Sequence, residues 1–169
     1  NREAKAIAWS RASTSIAVGS ADSSLKVLDI AKKEIICSFD EVVCPVITNL
    51  HSAKSTALGA ITAVAWSNDG KYLASGAEDN LIRVYEYSKK LLTIIIEQHK
   101  SKQIRVFMQI SQHDNKDHIL SLNWSPDSES LISSSKDCKL LLYNLKKKAV
   151  THTWVGGFES NMIFSNSHL

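Results

Sequence analysis

An all-β protein built of repeated antiparallel meanders is the fold class that this sequence predicts, on three observations. A segment recurs three times at steps of 57 and 58 residues, marked by Trp9, Trp66 and Trp124 and again by Asp22, Asp79 and Asp137. Apolar and polar residues alternate inside each copy with the two-residue period of strands, as in Leu81-Ile82-Arg83-Val84-Tyr85-Glu86-Tyr87. Turn-forming residues interrupt the copies at matching places. A fixed internal period dictates architecture before any other signal, because each copy is one supersecondary unit that must bury its face against a neighbour.

The elements follow in order. In the first copy Ile7-Ala8-Trp9-Ser10 leads through Val18-Gly19-Ser20-Ala21-Asp22 to Leu25-Lys26-Val27-Leu28-Asp29. In the second, Val64-Ala65-Trp66-Ser67 leads through Ser75-Gly76-Ala77-Glu78-Asp79 to Ile82-Arg83-Val84-Tyr85-Glu86. In the third, Leu122-Asn123-Trp124-Ser125 leads through Ser133-Ser134-Ser135-Lys136-Asp137 to Leu140-Leu141-Leu142-Tyr143-Asn144. Branched and aromatic residues dominate these runs, as a pleated, packed surface favours. Between the first and second strands lie Ser67-Asn68-Asp69-Gly70-Lys71 and Ser125-Pro126-Asp127-Ser128. In such turns Asn and Asp bond nearby backbone, Gly accepts positive φ and Pro presets the first corner. Each copy therefore reads strand, tight turn, strand, tight turn, strand.

This pattern resembles the WD-repeat (Trp-Asp repeat) β-propeller family over almost the whole chain, and Trp66 to Glu86 is nearly a consensus copy. The resemblance implies a β-propeller of four-stranded antiparallel blades, with the three strands above as a, b and c and a strand d after them. The namesake dipeptide has drifted: its Trp position holds Leu28, Tyr85 and Tyr143, and its Asp position Asp29, Glu86 and Asn144. Repeats of this family usually run about 40–45 residues, so each link carries extra chain.

Two placements of strand d are open. In the first blade it is Glu34–Phe39 or Val46–Leu50, the latter followed by His51 at the family's Gly-His position; in the second it is Leu91–Ile96 or Ile104–Ile110. The later strand is favoured both times, because Gln112-His113 follows the second and leads into strand a at His118–Trp124. The extra residues would then be c–d excursions on the bottom face. Blade-like repeats are expected at roughly 1–50, 51–110 and 111–156, with an incomplete one at 157–169, where Asn161–Asn166 reads as a further strand a. A closed ring typically takes 4–8 blades, so the sequence is expected to be about three blades plus the start of a fourth, part of a larger propeller.

By resemblance, a hydrogen-bond chain joins a His before strand a, a Ser on strand b, the turn Asp and the strand-c aromatic. Carried over, these are His51, Ser75, Asp79 and Tyr85 in blade two and His113, Ser133, Asp137 and Tyr143 in blade three. Blade one retains only Asp22. A Ser/His/Asp set invites a nucleophile reading. Repetition in each blade opposes it, since catalysis needs one asymmetric site, and a satisfied polar network locks turn geometry instead. The protein is expected not to be an enzyme.

Cys37, Cys44 and His51 are spaced by seven but lack the tight ligand pairs and fourth ligand of zinc sites, so no metal or cofactor is expected. Three cysteines without a CxxC pair argue against a disulfide framework and point to an intracellular compartment, cytoplasm or nucleus. No apolar run approaches the roughly 18 residues of a membrane span. Net charge is +3, too mild to imply nucleic acid by itself.

The expected function is a non-catalytic scaffold that mediates protein–protein interaction and assembles a multiprotein complex. Loops on a rigid support commonly carry binding. The resemblance places top-face contacts at the residue before the turn Asp and those entering strand a: Ala21, Glu78 and Lys136, with Ala60, Asp117 and His118. The alternative is a propeller subunit of an RNA-processing or ribosome-assembly complex touching RNA through basic loops such as Lys146–Lys148. Those loops lack the interleaved aromatics that stack bases.

Overall fold

The structure, a computed structural model, describes residues 3–39, 59–89, 91–96 and 118–156. Among the described residues twelve strands form three four-stranded antiparallel sheets, each a simple meander. The first holds β1 (Ala4–Trp9), β2 (Ser15–Ser20), β3 (Leu25–Asp29) and β4 (Glu34–Ser38). The second holds β5 (Ile61–Trp66), β6 (Tyr72–Ala77), β7 (Ile82–Glu86) and β8 (Leu91–Ile96). The third holds β9 (Ile119–Trp124), β10 (Ser130–Ser135), β11 (Lys139–Asn144) and β12 (Ala149–Val155). One 3-10 turn, Tyr87–Lys89, precedes β8. Among the described residues no helix is long and apolar enough to cross a membrane.

Strand d is the earlier candidate in both blades, which corrects the later placement expected from sequence. β4 pairs with β3 through Asp29↔Glu34 and Val27↔Cys37, and β8 pairs with β7 through Glu86↔Leu91 and Val84↔Ile94. The reason is the short hairpin. Four residues connect c to d in each sheet, closed in the first by a 2.9 Å bond from the Lys32 N–H to Asp29 Oδ1 and by Lys33 at φ 57°. A nearby strand closes a smaller loop at lower entropic cost than a distant one. Val46–Leu50 and Ile104–Ile110 lie outside the described residues. The extra chain therefore falls between strand d and the next strand a, and it enters at the b–c end of the blades, not at the c–d end.

Inner strands β1, β5 and β9 adjoin one another, and the sheets bury two apolar seams between them. The first seam packs Leu25, Val27 and Phe39 against Ile61, Trp66, Leu73 and Tyr85. The second packs Ile82 and Val84 with Ile119, Leu122, Trp124, Leu131 and Tyr143. Trp124 crosses its seam and donates its indole N–H to the Ala65 carbonyl at 3.1 Å, while its ring stacks on Tyr72. Trp66 packs edge-on against Tyr87. Trp9, at the same repeat position, is 59% exposed beside Ile7, because no described sheet covers that face of β1.

A missing side chain sets the closest approach in each seam. A Cβ added to Gly76 would lie 2.9 Å from Cβ of Ile119, and one added to Gly19 would lie 3.0 Å from Cβ of Ile61. Glycine on strand b thus lets the next blade's inner strand come to backbone distance. The third blade has Ser134 at this position, half-buried.

At the opposite end of the blades, the a–b turns are held by carboxylates. Ser67 Oγ donates to Asp69 Oδ1 at 2.6 Å, the Lys71 N–H donates to the same oxygen, and the Tyr72 N–H donates to Ser67 Oγ. Ser125, Asp127, Glu129 and Ser130 repeat this arrangement. The first blade has Ala12 where the carboxylate would sit, and keeps only the bond from the Ser15 N–H to Ser10 Oγ.

Both aspartates are held below the ordinary carboxylate value of 3.8. For Asp69, burial pushes upward but is outweighed by Ser67, the Lys71 N–H and the Lys71 ammonium. For Asp127, the Ser125 hydroxyl is the largest cause, followed by the Glu129 N–H. A carboxylate depressed on folding stabilises the protein above its unfolded value and loses that contribution as pH falls through its folded value. Urea midpoints are therefore expected to fall between about pH 5 and about pH 3, with a smaller fall in Asp69→Asn/Asp127→Asn. Equal slopes for the two proteins would show that these turns carry no pH dependence.

Candidate functional site

The b–c turns build one repeated device. The Ser24 N–H donates to Asp22 Oδ1, the Leu81 N–H to Asp79 Oδ1 and the Lys139 N–H to Asp137 Oδ1, all at 3.1 Å. Each carboxylate thus binds the backbone two residues on, which is the local chemistry that suits Asp to turns. The intervening residues Ser23, Asn80 and Cys138 take φ of 71°, 64° and 60°.

These turns are bonded to the start of strand a. The N–H groups of Ala21, Glu78 and Lys136 donate to the carbonyls of Glu3, Ala60 and His118 at 2.9, 3.0 and 3.1 Å. Further bonds cross from blade to blade. Ser23 Oγ donates to the Gly59 carbonyl at 2.8 Å, and His118 Nδ1 lies 3.1 Å from the Glu78 carbonyl. The Glu78 carboxylate accepts from the Ala60 N–H at 3.2 Å. The result is a hydrogen-bonded face from which the tips Ala21, Glu78 and Lys136 project, all exposed. Ala60 is buried beneath them and His118 is half-buried; Asp117 lies outside the described residues.

The polar residues carried over by resemblance are placed as follows. Ser75 and Ser133 are buried within strands b, at 1% and 3% exposure. Asp79 is engaged by Arg83, whose Nη1 and Nη2 reach Oδ1 and Oδ2 at 3.2 and 2.7 Å. In the third blade Lys139 takes that part, with its ammonium 3.6 Å from Asp137 Oδ2. Tyr85 packs its ring on Phe39, 4.6 Å between centroids. The buried hydroxyl of Tyr143 makes no hydrogen bond among the described residues, and burial pushes its pKa up. His51 and His113 lie outside the described residues. Cys37 is buried in the first seam; Cys44, with which it was spaced, also lies outside.

The sequence did not single out Arg83 as the partner of Asp79. The available signal was the i,i+4 step from Asp79 across a turn to a basic residue set between Ile82 and Val84. It also missed the seam bonds of Ser23 and Trp124, which join residues far apart in the chain. Lys146–Lys148 belongs to a tight c–d turn: the Lys146 ammonium bonds Glu129, and the Lys147 N–H donates to Asn144 Oδ1.

The family described as WD domain, G-beta repeat matches residues 48–86 and 101–144. The chain belongs to the WD-repeat family. Among WD-repeat relatives, Protein HIRA of Dictyostelium discoideum is 24% identical over 134 residues, covering 79% of this chain and 11% of the relative. Protein HIR1 of Gibberella zeae is 33% identical over 90 residues, covering 52% of this chain and 8% of the relative. The chain thus spans about a tenth of the length of these curated relatives. The solved structure of U3-55K superposes with TM-score 0.69 at 17% identity, over 90% of this chain and 39% of that one. The crystal structure of RRP9 WD40 repeats gives 0.68 at 16% identity, over 91% and 39%. At such identities these structures establish the fold, that of WD40 propeller blades.

Proposed function

We propose that this protein is a non-catalytic WD-repeat scaffold that binds other proteins through the b–c face and helps assemble a multiprotein complex. The observation that carries the reading is the disposition of the repeated polar groups. The turn aspartates hold backbone N–H groups and basic side chains, and Ser75 and Ser133 are buried. What the face offers to solvent is a set of exposed tips on a rigid, bonded support. Such a surface suits recognition by shape and charge.

The test is affinity purification of the full-length protein and its Ala21→Arg/Lys136→Glu variant. Both side chains are exposed, so the melting midpoint is expected to hold, as for most surface substitutions. The expected result is loss of a stoichiometric protein partner from the variant. A wild-type protein that purifies without any stoichiometric partner, or a variant that keeps every partner, would count against the scaffold reading.

A further inference from the structure

The first and third sheets each leave one face without a neighbouring sheet among the described residues, and the two faces differ in kind. On the first sheet, Ala4, Ile7 and Trp9 stand where Ile61, Val64 and Trp66 stand in the second blade, and those three pack on the first blade. Ile7 and Trp9 are exposed apolar side chains. On the third sheet, Ile132, Leu140 and Leu142 stand where Ala74, Ile82 and Val84 receive the third blade. One face thus has the form of an incoming blade and the other that of a receiving blade.

Residue choice across the two filled seams is matched at three places. The residue entering strand a meets the b–c tip of the preceding blade: His118 Nδ1 lies 3.1 Å from the Glu78 carbonyl, so His follows Glu, while Ala60 follows Ala21. In the a–b turns the Asp69 N–H donates to Ser128 Oγ at 2.9 Å, so Ser follows Asp, while Gly70 follows Ala12. On the strands, Ile61 follows Gly19 and Ile119 follows Gly76, each isoleucine filling the space of an absent Cβ.

The open faces continue all three rules when the third blade is set before the first. Glu3 then follows Lys136, an acid after a base, and both side chains are exposed. The Glu3 carboxylate meets Lys5 at 2.9 Å, in a solvent-exposed bridge of the kind that is worth little. Ser13 follows Asp127, and it holds a left-handed φ of 56° where Ser128 holds 60°. Ala4 follows Ser134, so the smaller residue on strand a meets the larger one on strand b. Faces built for unrelated neighbours have no reason to agree in charge, in turn chemistry and in size.

We propose that these two faces pack against each other between copies of this chain, the first sheet of one copy on the third sheet of the other. Two copies supply six blades, within the 4–8 that typically close a ring. A head-to-tail contact that closes covers both faces of both copies. Burial of Ile7 and Trp9 drives the association, and the junction of Lys136 with Glu3 fixes its register. The inference stands apart from the scaffold reading, because self-association is measured without any other protein.

The experiment is sedimentation equilibrium of the protein and of its Glu3→Lys, Lys136→Glu and Trp9→Glu variants. The wild type is expected to be a dimer. Each charge reversal sets like charges at both junctions of the ring and is expected to weaken association about tenfold. An equimolar mixture of the two charge variants restores an acid–base pair at both junctions, and is expected to associate as tightly as the wild type. Trp9→Glu is expected to give a folded monomer with an unchanged far-ultraviolet circular dichroism spectrum, because that side chain is exposed. A wild type that stays monomeric up to about 100 µM overturns the proposal and leaves the two faces to further blades of the same polypeptide or to another protein. Dimers that ignore both charge reversals overturn it too, as does a mixture that associates no more tightly than the single variants.

Discussion

Replacing Arg83 with leucine is expected to destabilise the protein by about 3–5 kcal/mol, the cost of removing one partner from a buried ion pair. The side chains of Arg83 and Asp79 are 3% and 8% exposed, and the two guanidinium nitrogens grip both carboxylate oxygens. The variant leaves the buried charge of Asp79, in the b–c turn, without that cation. The repeat itself supplies the rescue. At the position of Arg83 the third blade holds Leu141, 1% exposed, and its turn aspartate is served by Lys139, whose counterpart in the second blade is Leu81. Arg83→Leu/Leu81→Lys rebuilds that solution in the second blade and is expected to recover a large part of the loss. Urea unfolding of the two variants checks this. A cost below about 1 kcal/mol for Arg83→Leu would place the pair among exposed bridges of little worth.

The same comparison shows what the sequence could and could not reveal. Strands a, b and c were legible because they combine two-residue alternation with turn residues whose side chains bind local backbone; Asp79 and Asp137 do so where the repeat places them. Strand d was not legible. Glu34–Ser38 and Val46–Leu50 are both short, apolar and branched, and the choice between them depends on loop closure and on Lys33 accepting a left-handed φ. The choice also fixes which end receives the extra chain, so a single ambiguous strand moved the expected elaboration to the wrong face. The seam bonds were hidden for another reason. Trp124 and Ala65, or Ser23 and Gly59, meet only once neighbouring blades have packed, and no local periodicity encodes that meeting. For the candidate face, the sequence located the tips Ala21, Glu78 and Lys136, whereas the burial of Ala60 beneath Glu78 emerged only from the packed turn.

Packing between blades yields the other large effect. Gly76→Ser is expected to cost about 1–3 kcal/mol, as overpacking a close seam does. The new Cβ would sit 2.9 Å from Cβ of Ile119, a residue with no exposed surface on an inner strand that adjoins β5. Ile119→Ala alone opens a cavity and is expected to cost about 2–5 kcal/mol. Combined, the two changes are expected to cost less than their sum by about 1 kcal/mol or more, because the serine fills part of the space that the isoleucine vacates. The repeat again argues for the direction. Ala4 occupies in the first blade the position that Ile61 and Ile119 hold in the others, and Ser134 occupies in the third the position of Gly19 and Gly76. The family of blades thus accepts a smaller residue on strand a and a larger one on strand b at these sites, and glycine appears where the opposing isoleucine leaves no room for Cβ. Strictly additive urea midpoints would mean that the backbone shifts to relieve the clash, and that Gly76 does not set the distance between the second and third blades.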